Sequence, residues 1–234
     1  MYSSSPPILT PHRILLVDDH PFMRMGLAQF INTQPDLQVC AEASDPREAM
    51  LMMEKMKPDM VLSDLNLPGK GGLELIKDLR AMYPLVPVLV VSMHDEPQYA
   101  PRVLRAGARG YVMKSEPVAK LAAGIRDVLK GKIVLSERMS SMILEIFAGK
   151  SRGENSTPET KLSDRELEVL SLIGRALSTR SISSRLIISM KTVEAHRSNI
   201  KRKLGIDSSE ELVRYAVCWA QENGRSSEQW AQAC

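Results

Sequence analysis

The sequence predicts two domains of different class. The first is a doubly wound α/β domain on a five-stranded parallel sheet of order 2-1-3-4-5. The second is an all-α domain of four helices containing a helix-turn-helix. Three observations predict this. Five short apolar runs recur at regular intervals in the first half, continuous rather than alternating, as strands covered on both faces are. Helix-length segments separate them, so the strand–helix unit repeats five times. From Leu162 onward no strand pattern remains. A chain of 234 residues accommodates both domains.

The strands are expected at 13–18 (RILLVD), 39–43 (VCAEA), 60–64 (MVLSD), 86–92 (VPVLVVS) and 110–114 (GYVMK). The helices between them are expected at 21–33, 46–56, 72–82, 97–106 and 117–129. Proline stands at or near the first turn of four, where its missing N–H costs nothing. Right-handed crossovers then place helices on both faces of the sheet.

Residues 1–12 are Ser/Pro-rich and read as a disordered tail. The α/β domain covers 13–131. A linker at 132–160 includes an amphipathic helix near 136–147, with Met139, Ile143 and Ile146 on one side, and a flexible stretch, SRGENSTPET. Residues 161–222 form the helical domain, with helices at 164–176, 179–186, 190–204 and 210–222. Residues 223–234 read as a frayed tail.

Composition excludes several classes. Hydrophobic residues are 44% and charged residues 25%, which excludes collagen-like, mucin-like and wholly disordered chains. No apolar run reaches membrane-spanning length, and MYSSSPPILTPH does not read as a signal peptide. Cys40, Cys218 and Cys234 make neither a disulfide framework nor a zinc pattern, so a reducing cytoplasm is the expected compartment. Aromatic residues are 4%, too few for a base-stacking surface. The net charge of +3 is uneven in origin. Residues 13–130 carry fifteen bases and fifteen acids, whereas 175–205 carry eight bases and one acid, Glu194.

The first strand ends at Asp18 and Asp19 and the third at Asp64. In sheet order 2-1-3-4-5 these strands are neighbours across the switch point, where ligands gather beyond the strand ends. Three converging carboxylates repel, and a hard divalent cation relieves that. Ser92 closes the fourth strand and Lys114 the fifth. A hydroxyl, an ammonium, a metal and a nucleophilic carboxylate in one cleft make a phosphoryl-transfer constellation. Read singly, each could be a loop or capping residue, as Asp19 before a helix shows. Tyr111, read alone, is a core aromatic whose phenol reaches solvent at the edge.

VDDHPFMRMGL, DLNLPGKGGLEL, VVSMHDEPQYA and AGARGYVMK, in that order, resemble the flavodoxin-like receiver domain of bacterial two-component response regulators, over 13–130. The resemblance implies that Asp64 is the phosphoacceptor. It implies Mg²⁺ (or Mn²⁺) held by Asp18, Asp19, Asp64 and the backbone carbonyl of Asn66. It further implies that Ser92 and Tyr111 are switch residues and Lys114 the phosphate-pairing lysine.

In the second half, Ser163 and Glu166 make a capping box before an apolar run. Leu167, Leu170, Ile173 and Leu177 share one face, and Ile182 and Leu186 make a shorter stripe. Ile187, Ile188 and Ser189 join two helices at helix-turn-helix spacing. On the following helix Val193, Ile200 and Leu204 face the core. Lys191, Glu194, Ala195, Ser198 and Arg202 face outward, with Lys201 at the edge. That face suits a major groove, cations at the rim and small residues in the middle, although a basic helix alone reads as solvated.

LSDRELEVL, ISMKTVEAHRSNIKRKLG and SSEELVRYA resemble the LuxR-type DNA-binding domain, and the two resemblances together point to the NarL/FixJ family. They imply that Lys191, Glu194, Ala195 and Ser198 face the groove. Thr192, His196, Arg197, Lys201 and Arg202 are then candidates for backbone contacts. Arg197 projects near the core stripe and could instead pair with Glu166 or Glu168, and His196 could be structural. Ser181 stands where the family has an acid, and Ala176 where it has glycine, so a weaker support helix is expected. Ile187 is strained if its φ is positive.

The function implied is a cytoplasmic DNA-binding transcriptional regulator, switched by Mg²⁺-dependent phosphorylation of Asp64. A sensor histidine kinase, double-stranded DNA and RNA polymerase are the expected partners, with a homodimer when phosphorylated and no membrane. It is not an enzyme beyond its own phosphoryl transfer and dephosphorylation. The rival enzyme class, a haloacid-dehalogenase-type phosphohydrolase, calls for an Asp-x-Asp nucleophile on the first strand, which the adjacent Asp18 and Asp19 break. An interaction module without DNA is a third reading.

Overall fold

A computed structural model describes residues 10–147 and 158–228. Five strands, β1 (His12–Val17), β2 (Leu37–Ala43), β3 (Met60–Ser63), β4 (Val88–Ser92) and β5 (Gly110–Met113), form one parallel sheet of order β2-β1-β3-β4-β5. Helices α1 (Pro21–Asn32), α2 (Pro46–Met56), α3 (Gly72–Met82), α4 (Glu96–Ala106) and α5 (Val118–Leu129) connect and follow them.

The two-residue period of a strand sorts the core. Ile14, Leu16, Met60, Leu62, Leu89 and Val91 join the buried residues of α1 and α5 on one face. Leu15, Val17, Val61, Val88, Val90 and Tyr111 join those of α2, α3 and α4 on the other. Both faces are therefore covered, as the continuous apolar runs require. Asp45 caps α2, accepting from the backbone N–H of Arg47 at 2.8 Å and of Glu48 at 2.9 Å. Between β1 and β2 the register slips after Ile14, and Cys40 is the extra residue of a bulge.

Gly72 opens α3 where no side chain fits. A Cβ there would lie 2.4 Å from the Asp64 carbonyl oxygen. This close approach holds α3 against the loop that carries Asp64.

Beyond α5 the chain stays attached to the sheet. Val134 bridges to Gly110, and its carbonyl accepts from Tyr111 N–H at 2.8 Å. Helix α6 (Glu137–Phe147) then begins under the buried carboxylate of Glu96, which accepts from Ser136 N–H at 2.9 Å.

The second half contains a 3₁₀ turn (Pro158–Lys161) and helices α7 (Asp164–Gly174), α8 (Thr179–Leu186), α9 (Met190–Leu204) and α10 (Ser209–Glu228). The capping box is formed: Glu166 N–H donates to Ser163 Oγ at 3.3 Å and Ser163 N–H to Glu166 Oε2 at 2.7 Å. Of the predicted stripe, Leu167, Leu170, Ile173, Ile182, Leu186, Val193 and Ile200 are buried, while Leu177 and Leu204 are partly buried against them. At Gly174 a Cβ would sit 2.5 Å from the Ala216 carbonyl oxygen, so glycine lets α7 and α10 touch.

Four expectations need correction. The tail predicted over 1–12 ends earlier, since His12 already belongs to β1 and donates to Asp36 O at 2.9 Å; 1–9 lie outside the described residues. The stretch predicted to be flexible over 151–160 is ordered from Pro158, because Glu159 is buried and hydrogen-bonded by Tyr215 Oη. Residues 148–157 and Cys234 lie outside the described residues. The helix predicted to stop at 222 runs to Glu228; Gly224 weakens a helix but, without a following proline, does not stop it. Helix α7 ends at Gly174 rather than 176, because Ala176 has φ 60°.

Candidate functional site

Strand ends supply the acidic site. Asp18 follows β1 and its N–H donates to Ala43 O at 3.0 Å; Asp64 follows β3 and its N–H donates to Val17 O at 2.8 Å. Sheet hydrogen bonding therefore continues into both aspartates and fixes them side by side. Asp18 and Asp64 are 1% and 3% exposed.

Lys114, just past β5, reaches across the cleft. Its Nζ lies 2.7 Å from Asp18 Oδ2 and 2.7 Å from Asp64 Oδ2. Burial disfavours the lysine's charge, but the Asp64 and Asp18 carboxylates outweigh it and hold its pKa above the ordinary value. Asp64 Oδ1 accepts from Leu65 N–H at 2.6 Å and Asn66 N–H at 3.2 Å, which aims the carboxylate.

Asp19 differs from its neighbours. Burial first, and the carboxylates of Asp64 and Asp18 after it, raise its pKa against the opposing pull of His20 and Arg185. Its Oδ1 is buried and receives no hydrogen bond, although His20 Nδ1 lies 2.7 Å away. Ligand atoms of Asp18, Asp19, His20 and Asp64 all fall within 4.8 Å of one another. Three carboxylates with an orphaned buried oxygen fit a hard divalent cation. His20 was not singled out from sequence; its position directly after the acidic pair was the available signal.

The other predicted residues divide. Ser92 is fully buried at the end of β4, and its Oγ accepts from His94 N–H at 3.3 Å. Tyr111 is 2% exposed, and its hydroxyl donates to the His94 carbonyl at 2.8 Å. The expectation that its phenol reaches solvent is thereby corrected: a neighbouring carbonyl satisfies it. Asn66 is placed beside the cluster, with its Oδ1 2.8 Å from His94 Nε2. His94 stacks on Tyr99 at a centroid distance of 4.3 Å. Neither ring is marked in the sequence: a stack between positions five apart has no local motif, and Asn66, the other partner of His94, lies 28 residues away.

A second site lies on α9. Lys191, Thr192, Glu194, Ala195, Ser198 and Arg202 are exposed, while His196, Arg197 and Lys201 are partly buried. Ser189 caps the helix, accepting from Thr192 N–H at 3.0 Å. Glu194 accepts from Thr179 Oγ1 at 2.8 Å, which ties α9 to the start of α8. Burial, then Arg165, lowers the His196 pKa. The alternative pairing of Arg197 is not adopted. Glu166 takes Lys203 at 2.6 Å, Glu168 takes Arg165 at 2.7 Å, and Arg197 Nε lies 3.8 Å from Glu194 Oε2, one turn away on its own helix. In the turn, Ile187 adopts φ 52°, so the anticipated strain is present. Ser178 caps α8 by accepting from Ser181 N–H at 3.1 Å, without an acid at that position.

An α/β domain with an acidic cluster at its strand switch point, joined to a helix-turn-helix, is the class that this fold and these two sites define. The description "Response regulator receiver domain" matches residues 14–126, and "Bacterial regulatory proteins, luxR family" matches residues 160–216. The chain belongs to the two-component response regulators of the NarL/FixJ family, with a receiver and a LuxR-type DNA-binding domain. It is 37% identical over 209 residues to the oxygen regulatory protein NreC of Staphylococcus aureus (strain bovine RF122 / ET3-1), a match covering 88% of this chain and 96% of that protein. The RcsB response regulator of Salmonella typhimurium shares the fold, with TM-score 0.68 and 24% identity over 89% of this chain and 98% of that one. A structure of two RcsB dimers bound to two parallel DNAs matches at TM-score 0.54 and 25% identity, covering 88% of this chain and 98% of that one.

Proposed function

We propose that this chain is a cytoplasmic transcriptional switch in which Asp64 takes a phosphoryl group from a sensor histidine kinase. The observation that carries the reading is the buried Asp18–Lys114–Asp64 arrangement at the strand switch point, with Asp19 Oδ1 left without a hydrogen bond. Residues 13–131 act as the receiver, 132–160 as the linker and 161–222 as the DNA-binding domain.

In the transfer, an Asp64 carboxylate oxygen attacks phosphorus. The bond from phosphorus to the kinase histidine nitrogen breaks, and that nitrogen leaves with the electron pair. Asp18, Asp19, Asp64 and the Asn66 carbonyl would hold Mg²⁺ (or Mn²⁺), which neutralises phosphoryl oxygens when bound. Lys114 pairs with one of those oxygens. Ser92 turns its hydroxyl to another, and Tyr111 follows by giving up the His94 carbonyl. Hydrolysis of the acyl phosphate resets the switch, and this self-directed chemistry is the chain's only catalysis.

The new dianion favours a homodimer, whose two DNA-binding domains meet half-sites about one helical turn apart. Lys191, Glu194, Ala195 and Ser198 read the groove. Thr192, His196, Arg197, Lys201 and Arg202 hold the backbone, and RNA polymerase is the downstream partner. Support for the dimer on DNA comes from the RcsB relative. No helix among the described residues is long and apolar enough to cross a membrane.

Two experiments test the reading. Asp64→Ala is expected to abolish labelling by a small acyl-phosphate donor; undiminished labelling refutes the assignment. Arg202→Gln is expected to lower the slope of log affinity for DNA against log salt by about one. An unchanged slope removes Arg202 from the phosphate contacts.

A further inference from the structure

Arg185, near the end of α8, reaches into the receiver's acidic cluster from the DNA-binding domain. Its Nη2 donates to Asp19 Oδ2 at 2.9 Å. Its carbonyl accepts from Gly69 N–H, in the loop after β3, at 3.3 Å. Arg165 of α7 secures this end of α8, donating to Leu186 O at 2.8 Å and to Glu168 at 2.7 Å. A second contact lies further along the same interface. Asp164, the first residue of α7, pairs with Arg102 of α4 at 2.9 Å and with Lys77 of α3 at 3.2 Å.

We propose that Arg185 is a tethered cation for Asp19, so that docking of the DNA-binding domain and divalent-metal binding compete for one carboxylate. The inference rests on the metal role proposed above for Asp18, Asp19 and Asp64. A guanidinium already neutralises Asp19 in the docked form. A divalent ion held by the same cluster places two further positive charges beside that guanidinium and draws on the carboxylate that holds it. Docking therefore weakens metal binding, and metal binding weakens docking by the same factor, as linkage requires.

This coupling does not work by hiding the recognition helix. Lys191, Glu194, Ala195, Ser198 and Arg202 are exposed while Arg185 is seated on Asp19. What the latch fixes is the position of the DNA-binding domain against the receiver. Its release frees that domain to align with a second copy.

The test uses the full chain and Mg²⁺ alone. Mg²⁺ affinity is measured by calorimetry, and domain separation by energy transfer between a dye on each domain. In the wild type, Mg²⁺ is expected to increase the separation. Arg185→Gln is expected to be separated without metal and to bind Mg²⁺ about fivefold more tightly, the upper factor for an ion pair this exposed. Arg185→Lys, which keeps the charge, should remain near wild type in both readouts. Equal Mg²⁺ affinity in wild type and Arg185→Gln overturns the latch, as does a wild-type separation that Mg²⁺ leaves unchanged; Asp64 labelling in the same samples tells whether the phosphoacceptor reading survives. Absence of Mg²⁺ binding in both proteins overturns the metal site and the latch together.

Discussion

At the residue scale one lysine stands between two buried carboxylates at the receiver's strand ends. Lys114 and its partners Asp18 and Asp64 have side chains at most 4% exposed, so removing the lysine strands like charges in a poorly solvated place. Lys114→Met preserves volume and deletes the charge. We expect it to cost about 3 kcal/mol of stability in chelator-treated protein. Excess Mg²⁺ should restore part of the loss, and urea unfolding with and without the ion measures both. Asp18, Asp64, Ser92 and Lys114 were readable from sequence because each directly follows or ends an apolar strand, and strand order alone brings such positions together. His94, Tyr99 and Arg185 were not readable, because nothing local marks a ring stack or a contact 166 residues apart in the chain.

At the element scale two helices carry visible strain. Helix α8 ends on Ile187, a β-branched residue at φ 52° whose side chain is 74% exposed. Little burial compensates the left-handed backbone, so Ile187→Gly is expected to stabilise the DNA-binding domain by about 1 kcal/mol. Thermal unfolding followed by far-ultraviolet circular dichroism checks this, and a loss of stability contradicts it. Helix α4 contains Pro101 in its interior, which removes one helical hydrogen bond. The element that follows Ser92 and His94 is thus intrinsically weak, which on the proposed reading suits a part that shifts.

Element positions were legible wherever period and punctuation agreed. Helices α2, α3, α8 and α9 fall where proline, glycine, caps and apolar spacing place them. The end of α10 was not legible, because Asn223 and Gly224 look like a stop signal yet allow the helix to continue. Nor was the ordering of Pro158–Lys161, a polar stretch whose structure comes from Glu159 meeting Tyr215 and Arg102.

At the scale of the whole molecule, one apolar cluster takes in residues of the receiver sheet, Met139 of α6 and residues of α7, α8, α9 and α10. Asp164 fastens the same interface with two cations from α3 and α4. Burial works against its charge, but hydrogen bonds from Arg102 and Lys77 outweigh it and lower its pKa below the usual 3.8. A lowered carboxylate pKa adds stability that is complete above 3.8 and is lost as pH falls through the depressed value. Asp164→Asn removes this contribution at neutral pH. Both tryptophans, Trp219 and Trp230, lie in the second half of the sequence, and Trp219 is buried there. We expect Asp164→Asn to move the tryptophan-detected urea midpoint down, separating it from the midpoint seen by circular dichroism. Coincident midpoints would show that the domains still unfold as one.

The exposed face of α9 bears on how quickly such a regulator responds. The basic residues Lys191 and Arg202 are exposed in the docked form, and on the proposed reading they keep affinity for any duplex, whatever its sequence. On the proposed reading, the resting population then slides and hops along the chromosome rather than waiting in bulk solvent. Target search is largely complete before the signal arrives. The delay between stimulus and promoter occupancy is set by arrival of the phosphoryl group and pairing of neighbours already on the DNA, not by three-dimensional diffusion.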